Sequence, residues 1–211
     1  MNNPFSIKES FSFAWKTFTS RPWFLMCVIA AVFVLIATVS AVLQPEEGGS
    51  IILSLVAMVL NVLVDMGLIA FALAAHDNIT GVHWKSLWAP KNFWKYIGAN
   101  ILVAIIVVIG LVLLIIPGII AAVGLMFTKY LVMDKNLGPV QAIKESWRIT
   151  KKHILHLVGL LLVLIALNIA GAIALLVGLL VTVPLTLLVM AHVYRALEHA
   201  AHEVVAAPSV A

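Results

Sequence analysis

Between Lys95 and Lys129 the chain reads Tyr96-Ile-Gly-Ala-Asn100-Ile-Leu-Val-Ala-Ile-Ile-Val-Val-Ile-Gly110-Leu-Val-Leu-Leu-Ile115-Ile-Pro117-Gly118-Ile-Ile-Ala-Ala-Val-Gly124-Leu-Met-Phe-Thr128. No charged side chain interrupts it, and its one break is Ile116-Pro117-Gly118. A helix crosses a bilayer in roughly 20 apolar residues, so the runs 97–115 and 117–133 read as two spans. A Pro-Gly step between them marks a tight hairpin turn, with a re-entrant or gating element as the other reading of the same residues.

Four further apolar runs lie outward of this hairpin, at 22–43, 51–75, 154–176 and 179–198. The last two have no polar loop between them, and Gly171, Gly178 and Pro184 place their turn anywhere from 171 to 180. The run at 22–43 is too long for the apolar core of a secretory signal, about 7–15 residues, and reads as a retained first span. The composition agrees, at 64% hydrophobic, 10% charged and mean hydropathy +1.15. A water-soluble domain carries about 25% charged residues, so a soluble fold is excluded.

The connections Gln44 to Ser50, Ile116 to Gly118 and the stretch near Gly178 contain no Lys or Arg. All thirteen Lys and Arg fall on the other side of the spans, with all six Trp and all three Tyr. By the positive-inside rule that side is cytoplasmic and holds both termini; the aromatic residues form the belt expected at an interface. The reading is a multi-pass protein of a bacterial inner membrane. The net charge of +4 comes from residues flanking spans, which points to anionic lipid and away from nucleic acid. Cys27 is the single cysteine, so no intramolecular disulfide forms.

Three stretches ahead of the hairpins are alike: Ile7-Lys8-Glu9-Ser10-Phe11, Trp84-Lys85-Ser86-Leu87-Trp88 and Ile143-Lys144-Glu145-Ser146-Trp147. Asp77-Asn-Ile-Thr-Gly81 matches Asp134-Lys-Asn-Leu-Gly138, and the even spans exit through Phe71, Tyr130 and Tyr194. The expected fold class is all-α: six transmembrane helices built as three repeats, about 5–75, 83–133 and 139–198, of an amphipathic interfacial helix plus a hairpin. Together they make one integral membrane domain over 1–205, with 206–211 a flexible cytoplasmic tail. In the first copy Ser6 and Glu9 suggest a capping box, and Ile7, Phe11, Trp15 and Phe18 share an apolar face. In the third, Pro139 suits the first helical turn, and Val140, Ile143, Trp147 and Ile154 form the stripe. Pro90 makes the second copy short or kinked. Such helices lie in the headgroup plane.

The segment from Ile115 through Val163, with its Pro117-Gly118 turn and Ala142-Ile-Lys-Glu-Ser146-Trp147 helix, resembles the membrane domain of some bacterial glycerophosphodiester phosphodiesterases and related uncharacterised six-span families. Glu9-Ser10-Phe11 through Phe18 is similar to the opening segment of that family. The resemblance implies a fold and a location. In that family the chemistry belongs to a separate soluble barrel with a His-Arg opening, and this chain has neither a His-Arg pair nor room for the barrel. No enzymatic activity is expected from it.

Asp65 is the one acid well inside a span, with Asn61 four residues earlier on the same face. A charged side chain there costs about 2.5–3.5 kcal/mol of insertion and needs a partner, a proton or a water cavity. It is read either as an ion or proton site facing Asn100 or Asn168, or as a hydrogen-bonded group joining spans. His192, His199 and His202, with Glu198 and Glu203, contain zinc-ligating types at a helix end; a solvated interfacial end is the alternative, and no metal or cofactor is assigned. His153 and His156 follow Lys151-Lys152 and either meet lipid phosphates or serve as interfacial anchors. The repeat serines, Ser10, Ser86 and Ser146, lack a matching His and are not assigned as nucleophiles.

Two functions follow. The first is a non-catalytic membrane module that organises lipid or a membrane-protein partner, with Lys144, Arg148, Lys151 and Lys152 on anionic headgroups and Trp15, Trp84, Trp88 and Trp147 in the interface. The second is a small-solute or ion transporter or channel that uses Asn61, Asp65, Asn100 and Asn168.

Overall fold

A computed structural model describes residues 4–43, 51–87, 90–174 and 178–206. Nine α-helices occur among them: α1 Ile7–Ser20, α2 Pro22–Leu43, α3 Ile51–Asp77, α4 Phe93–Leu113, α5 Ile115–Gly124, α6 Thr128–Lys135, α7 Pro139–Thr150, α8 Ile154–Ile173 and α9 Leu179–Ala206. Two 3-10 turns, Trp84–Leu87 and Pro90–Asn92, stand before α4. Six helical stretches are long and apolar enough to cross a membrane, with α5 and α6 together forming one of them, Ile115–Lys135. The expected loop 44–50, Trp88 and the tail beyond Ala206 lie outside the described residues.

The α4/α5 hairpin turn differs from the expected 116–118 by about three residues. The chain reverses at Leu114, which is extended at φ −161°, and Pro117 and Gly118 already belong to the first turn of α5. Proline is tolerated there because the first amides of a helix have no intrahelical acceptor to lose. A pair of glycines closes the hairpin: a Cβ on Gly110 would stand 2.9 Å from the Gly118 Cα. The α8/α9 hairpin uses the same device, since a Cβ on Gly178 would stand 2.7 Å from the Gly171 Cα.

Among the described residues the charged side chains gather at one end of the bundle, termed here the basic end, and the buried core lies in that half. Beyond Ile29 in α2, before Met66 in α3 and beyond Ala99 in α4, no described residue is buried. In α8 beyond Leu164 only Gly171 is buried, and in α9 before Pro184 only Thr182. The basic half encloses Phe71, Tyr96, Phe127, Tyr130, Leu157, Leu188 and Tyr194. Helix α9 is the centre of this base and packs against α1, α2, α3, α7 and α8. Tyr130 and Tyr194, the aromatic exits of two even spans, meet at 5.5 Å between ring centroids.

The amphipathic helix α1 keeps Phe18 buried and Ile7 and Phe11 against the core, as its apolar stripe suggests, but the enclosed face is turned toward small residues, and in α7 it is turned away from Val140 and Trp147. Helix α1 encloses Ser10, Ala14, Thr17 and Phe18, while Trp15 is exposed; α7 encloses Ala142, Ser146, Ile149 and Thr150, while Val140 and Trp147 are exposed. Small side chains let helix backbones approach closely where lipid removes any gain from burying large apolar ones. Ser6 makes no side-chain cap; its carbonyl accepts from the Ser10 amide and hydroxyl instead, both at 2.9 Å. Pro139 does open α7, and Gln141 Oε1 accepts from the Gly138 amide at 3.4 Å.

Candidate functional site

Helix α7 is fastened at the break between α5 and α6. The Gly124 carbonyl lacks a continuing helix to pair with, and it accepts from Ser146 Oγ at 3.0 Å and Thr150 Oγ1 at 2.7 Å. The Trp147 ring lies directly on Gly124, where any Cβ would strike it. Ser146, the serine of the third look-alike stretch, is thus a buried docking hydroxyl. The opposite face of α7 carries Lys144 and Arg148, both exposed, followed at its end by exposed Lys151 and Lys152. Glu145 grips Arg148 at 2.6 and 2.8 Å and holds its guanidinium further above the usual value. Next to them His153 is pushed below the ordinary histidine value, by partial burial first, then by His156 and Lys152.

Other basic residues are used inside the protein. Arg21 donates to the carbonyls of Ile79, Thr80 and Val82, clasping the turn that follows α3. Lys95 binds the carbonyl and side-chain oxygen of Asn136, at 3.0 and 2.7 Å, after α6. Asn136 adopts the left-handed conformation there, at φ 54°, which asparagine tolerates better than most residues.

Arg195 is the largest of these internal uses and was not foreseen as one. It takes Asp77 from α3 in a two-toothed bond at 2.7 and 3.2 Å, Asp134 from α6 at 2.8 Å and Glu198 on its own helix at 3.4 Å. The planar guanidinium fork suits several carboxylates at once. Tyr194 donates to the same Asp134 oxygen at 2.9 Å, and Lys135 pairs Glu198 at 2.6 Å. His76 bridges Asp77 and His192, and Phe13 of α1 stacks on His192 at 4.5 Å. One cluster therefore ties α1, α3, α6 and α9 together. A sequence signal existed: the matched Asp77 and Asp134 at the exits of two even spans, and Arg195 three residues before Glu198.

Asp65 faces neither of the two asparagines proposed for it as its main partner. Lys129 Nζ and the Tyr96 hydroxyl both donate to Asp65 Oδ2 at 2.6 Å. Lys129, read from sequence as a flanking residue, thus lies inside the fourth span at the break. Asn100 stands four residues after Tyr96, one turn on along the same face of α4. Asn61 instead donates to the Ala57 carbonyl of its own helix, and Asn168 to Leu164 and Thr186 in the α8/α9 hairpin. That second hairpin carries an open apolar groove of about 490 Å³ beside Asn168 and Thr186.

The histidine group at the end of α9 is dispersed. His192 pairs His76, Glu198 pairs Lys135 and Arg195, and the side chains of His202 and Glu203 lie outside the described residues. Among the described residues no three His, Cys, Asp or Glu are placed to hold a metal ion. Trp15 is exposed, as are Trp23 and Trp94; Trp84 opens a 3-10 turn, and its side chain lies outside the described residues. No family model, curated protein or solved structure matches the chain.

Proposed function

We propose that the protein is a non-catalytic module of a bacterial inner membrane, built of three like-oriented repeats with both termini cytoplasmic, that organises anionic lipid at its basic end. The observation that supports this most is the division of the basic residues. Arg21, Lys95, Lys135 and Arg195 are occupied by carbonyls and carboxylates of the protein. Lys144 projects beside Arg148 from α7, whose other face is pinned to Gly124, Lys151 and Lys152 project from the turn that follows, and the Trp147 ring on Gly124 stays partly exposed. A rigid basic-aromatic face at the interface is suited to phosphate headgroups, each basic residue contributing about 1 kcal/mol near an anionic surface. The sequence likeness of Ile115 through Val163 to the membrane domains attached to glycerophosphodiester phosphodiesterases supports the same location in a membrane.

The test is lipid binding in nanodiscs of varied phosphatidylglycerol content. Replacing Lys144, Arg148, Lys151 and Lys152 together by Gln should weaken anionic-lipid binding by on the order of tenfold or more. Unchanged affinity in a folded variant rejects the reading. A second reading, a small-solute or ion pathway, draws support from the half-exposed Asp65–Lys129 pair within the spans. Asn61 and Asn168, bonded elsewhere, do not extend that pair into a polar path.

A further inference from the structure

Two clusters of charge lie within the spans, and they differ in access. The Arg195 side chain is 18% exposed, whereas Lys129 and Asp65 are 40% and 43% exposed although they bond each other at 2.6 Å. Tyr96 and Lys129 both donate to Oδ2 of Asp65, so Oδ1 has no partner among the described residues. Lys129 has three ammonium donors, of which Asp65 takes one. An acceptor and two donors are therefore left side by side.

Their position says what surrounds them. Asp65 sits where α3 changes from bare to enclosed, one residue before buried Met66, and Tyr96 lies with Ala99 at the enclosed start of α4. From there toward the far end α3 and α4 present unburied apolar residues such as Val59, Leu55, Ile101 and Ile105. Lys129 is six residues before Lys135, about 9 Å of helix, which puts the pair a short way beneath the charged level of the basic end. A half-open ion pair in apolar surroundings is costly unless a polar group covers it.

The pair is neutral as a unit. A purely anionic headgroup on Lys129 would meet the Asp65 carboxylate, and a cation on Asp65 would meet the ammonium. A zwitterion satisfies both, with its anionic half on Lys129 and an N–H donor on Asp65. We propose that Asp65, Lys129 and Tyr96 form a headgroup site for a phospholipid carrying a primary amine, the phosphate on Lys129, the ammonium on Asp65 Oδ1, and the acyl chains against the unburied apolar stretches of α3 and α4. This assignment rests on the lipid-module reading and gives it a second, differently selective site.

The test compares phosphatidylethanolamine, its mono- and dimethyl derivatives, phosphatidylcholine and phosphatidylglycerol, titrated onto the detergent-solubilised full chain and read by native mass spectrometry. The unaltered protein should retain phosphatidylethanolamine about fivefold over phosphatidylcholine, the worth of one hydrogen bond, with the methylated forms between. Asp65→Asn and Lys129→Gln should remove that preference and leave phosphatidylglycerol uptake at α7 intact. The four-fold Gln variant of α7 should do the reverse, so the two sites fail separately. Equal retention of phosphatidylethanolamine and phosphatidylcholine by the unaltered protein overturns the site without any variant. Free O-phosphoethanolamine that displaces the lipid at equal concentration would reassign the pair to a soluble zwitterion and overturn the lipid assignment.

Discussion

Among the described residues, the half of the bundle that carries the charges is the half that is packed, and the apolar half is left bare. Asp77, Asp134, Arg195 and Glu198 sit among enclosed Leu131, Tyr194 and Leu197, while Val112, Ile116 and Ile173 at the far end face outward. A water-soluble fold would show the opposite arrangement. In a bilayer, apolar side chains lose nothing by facing lipid, so helices hold together through hydrogen bonds, ion pairs and close small-residue contacts. The base has these in Arg195, in Arg21 on the turn after α3 and in Ser146 and Thr150 on Gly124; the far halves have glycine pairs within single hairpins.

Arg195→Met attacks the base at its centre and should have the largest effect. It leaves Asp77 and Asp134 facing each other without their shared cation, with Glu198 still neutralised by Lys135. Breaking a buried ion pair on one side costs about 3–5 kcal/mol, and the half-exposed Asp77 side chain moves the expectation to the low end, about 3 kcal/mol. Denaturant titration in mild detergent measures it. Adding Asp134→Leu should restore part of the loss, because an uncompensated charge is then removed. A fully stable Arg195→Met would mean that the base is held by packing alone.

A matched pair of leucines separates the two halves directly. Leu188 of α9 is 2% exposed in the base and Leu113 of α4 is 72% exposed at a hairpin tip. With spans in lipid in both folded and unfolded states, the transfer from water largely drops out and the lost packing and cavity remain. Leu188→Ala should therefore cost about 2 kcal/mol, near the low end for core leucines, and Leu113→Ala less than about 0.5. Comparable losses at both would show that the far halves pack against something, such as a second copy or a bound protein.

The spans were legible because apolar length and the side on which Lys and Arg fall are properties of the sequence itself. Span ends agree to within a few residues, and the break at 114 was displaced only because Pro117 looks like a turn residue while serving as the start of α5. Hydrophobicity located the buried face of α1 only in part, through Phe18, Ile7 and Phe11, and missed that of α7. Ser10, Ala14, Ser146 and Thr150 rank as polar or small, yet these are the residues that lie against neighbouring helices. The partners of the charges were hidden for a related reason. Lys129 and Arg195 sit near the basic ends of their spans, where a headgroup-facing residue looks the same as one that turns inward to Asp65 or Asp134. Only Asp65, too deep for that ambiguity, declared that it needed a partner.

The smallest effect concerns the exposed basic face and its dependence on pH. His153 lies between Lys152 and α8, outside the spans, and its value is lowered from 6.5 by partial burial, then by His156 and Lys152. Above pH 6.5 it is neutral whether the chain is folded or unfolded and contributes nothing. As the pH falls below 6.5 the unfolded chain takes up the proton first, so the folded protein loses a little stability until the pH has passed below the folded value. A phosphate bound at Lys151 and Lys152 would bring negative charge next to His153, raise its value again and couple proton uptake to lipid binding. Affinity for phosphatidylglycerol should then rise about two- to threefold between pH 7.5 and 5.5, while affinity for phosphatidylcholine stays level. His153→Gln should flatten the rise. If the rise persists in that variant, His156 is the group to replace next, and a rise that survives both changes would place the anionic lipid away from the end of α7.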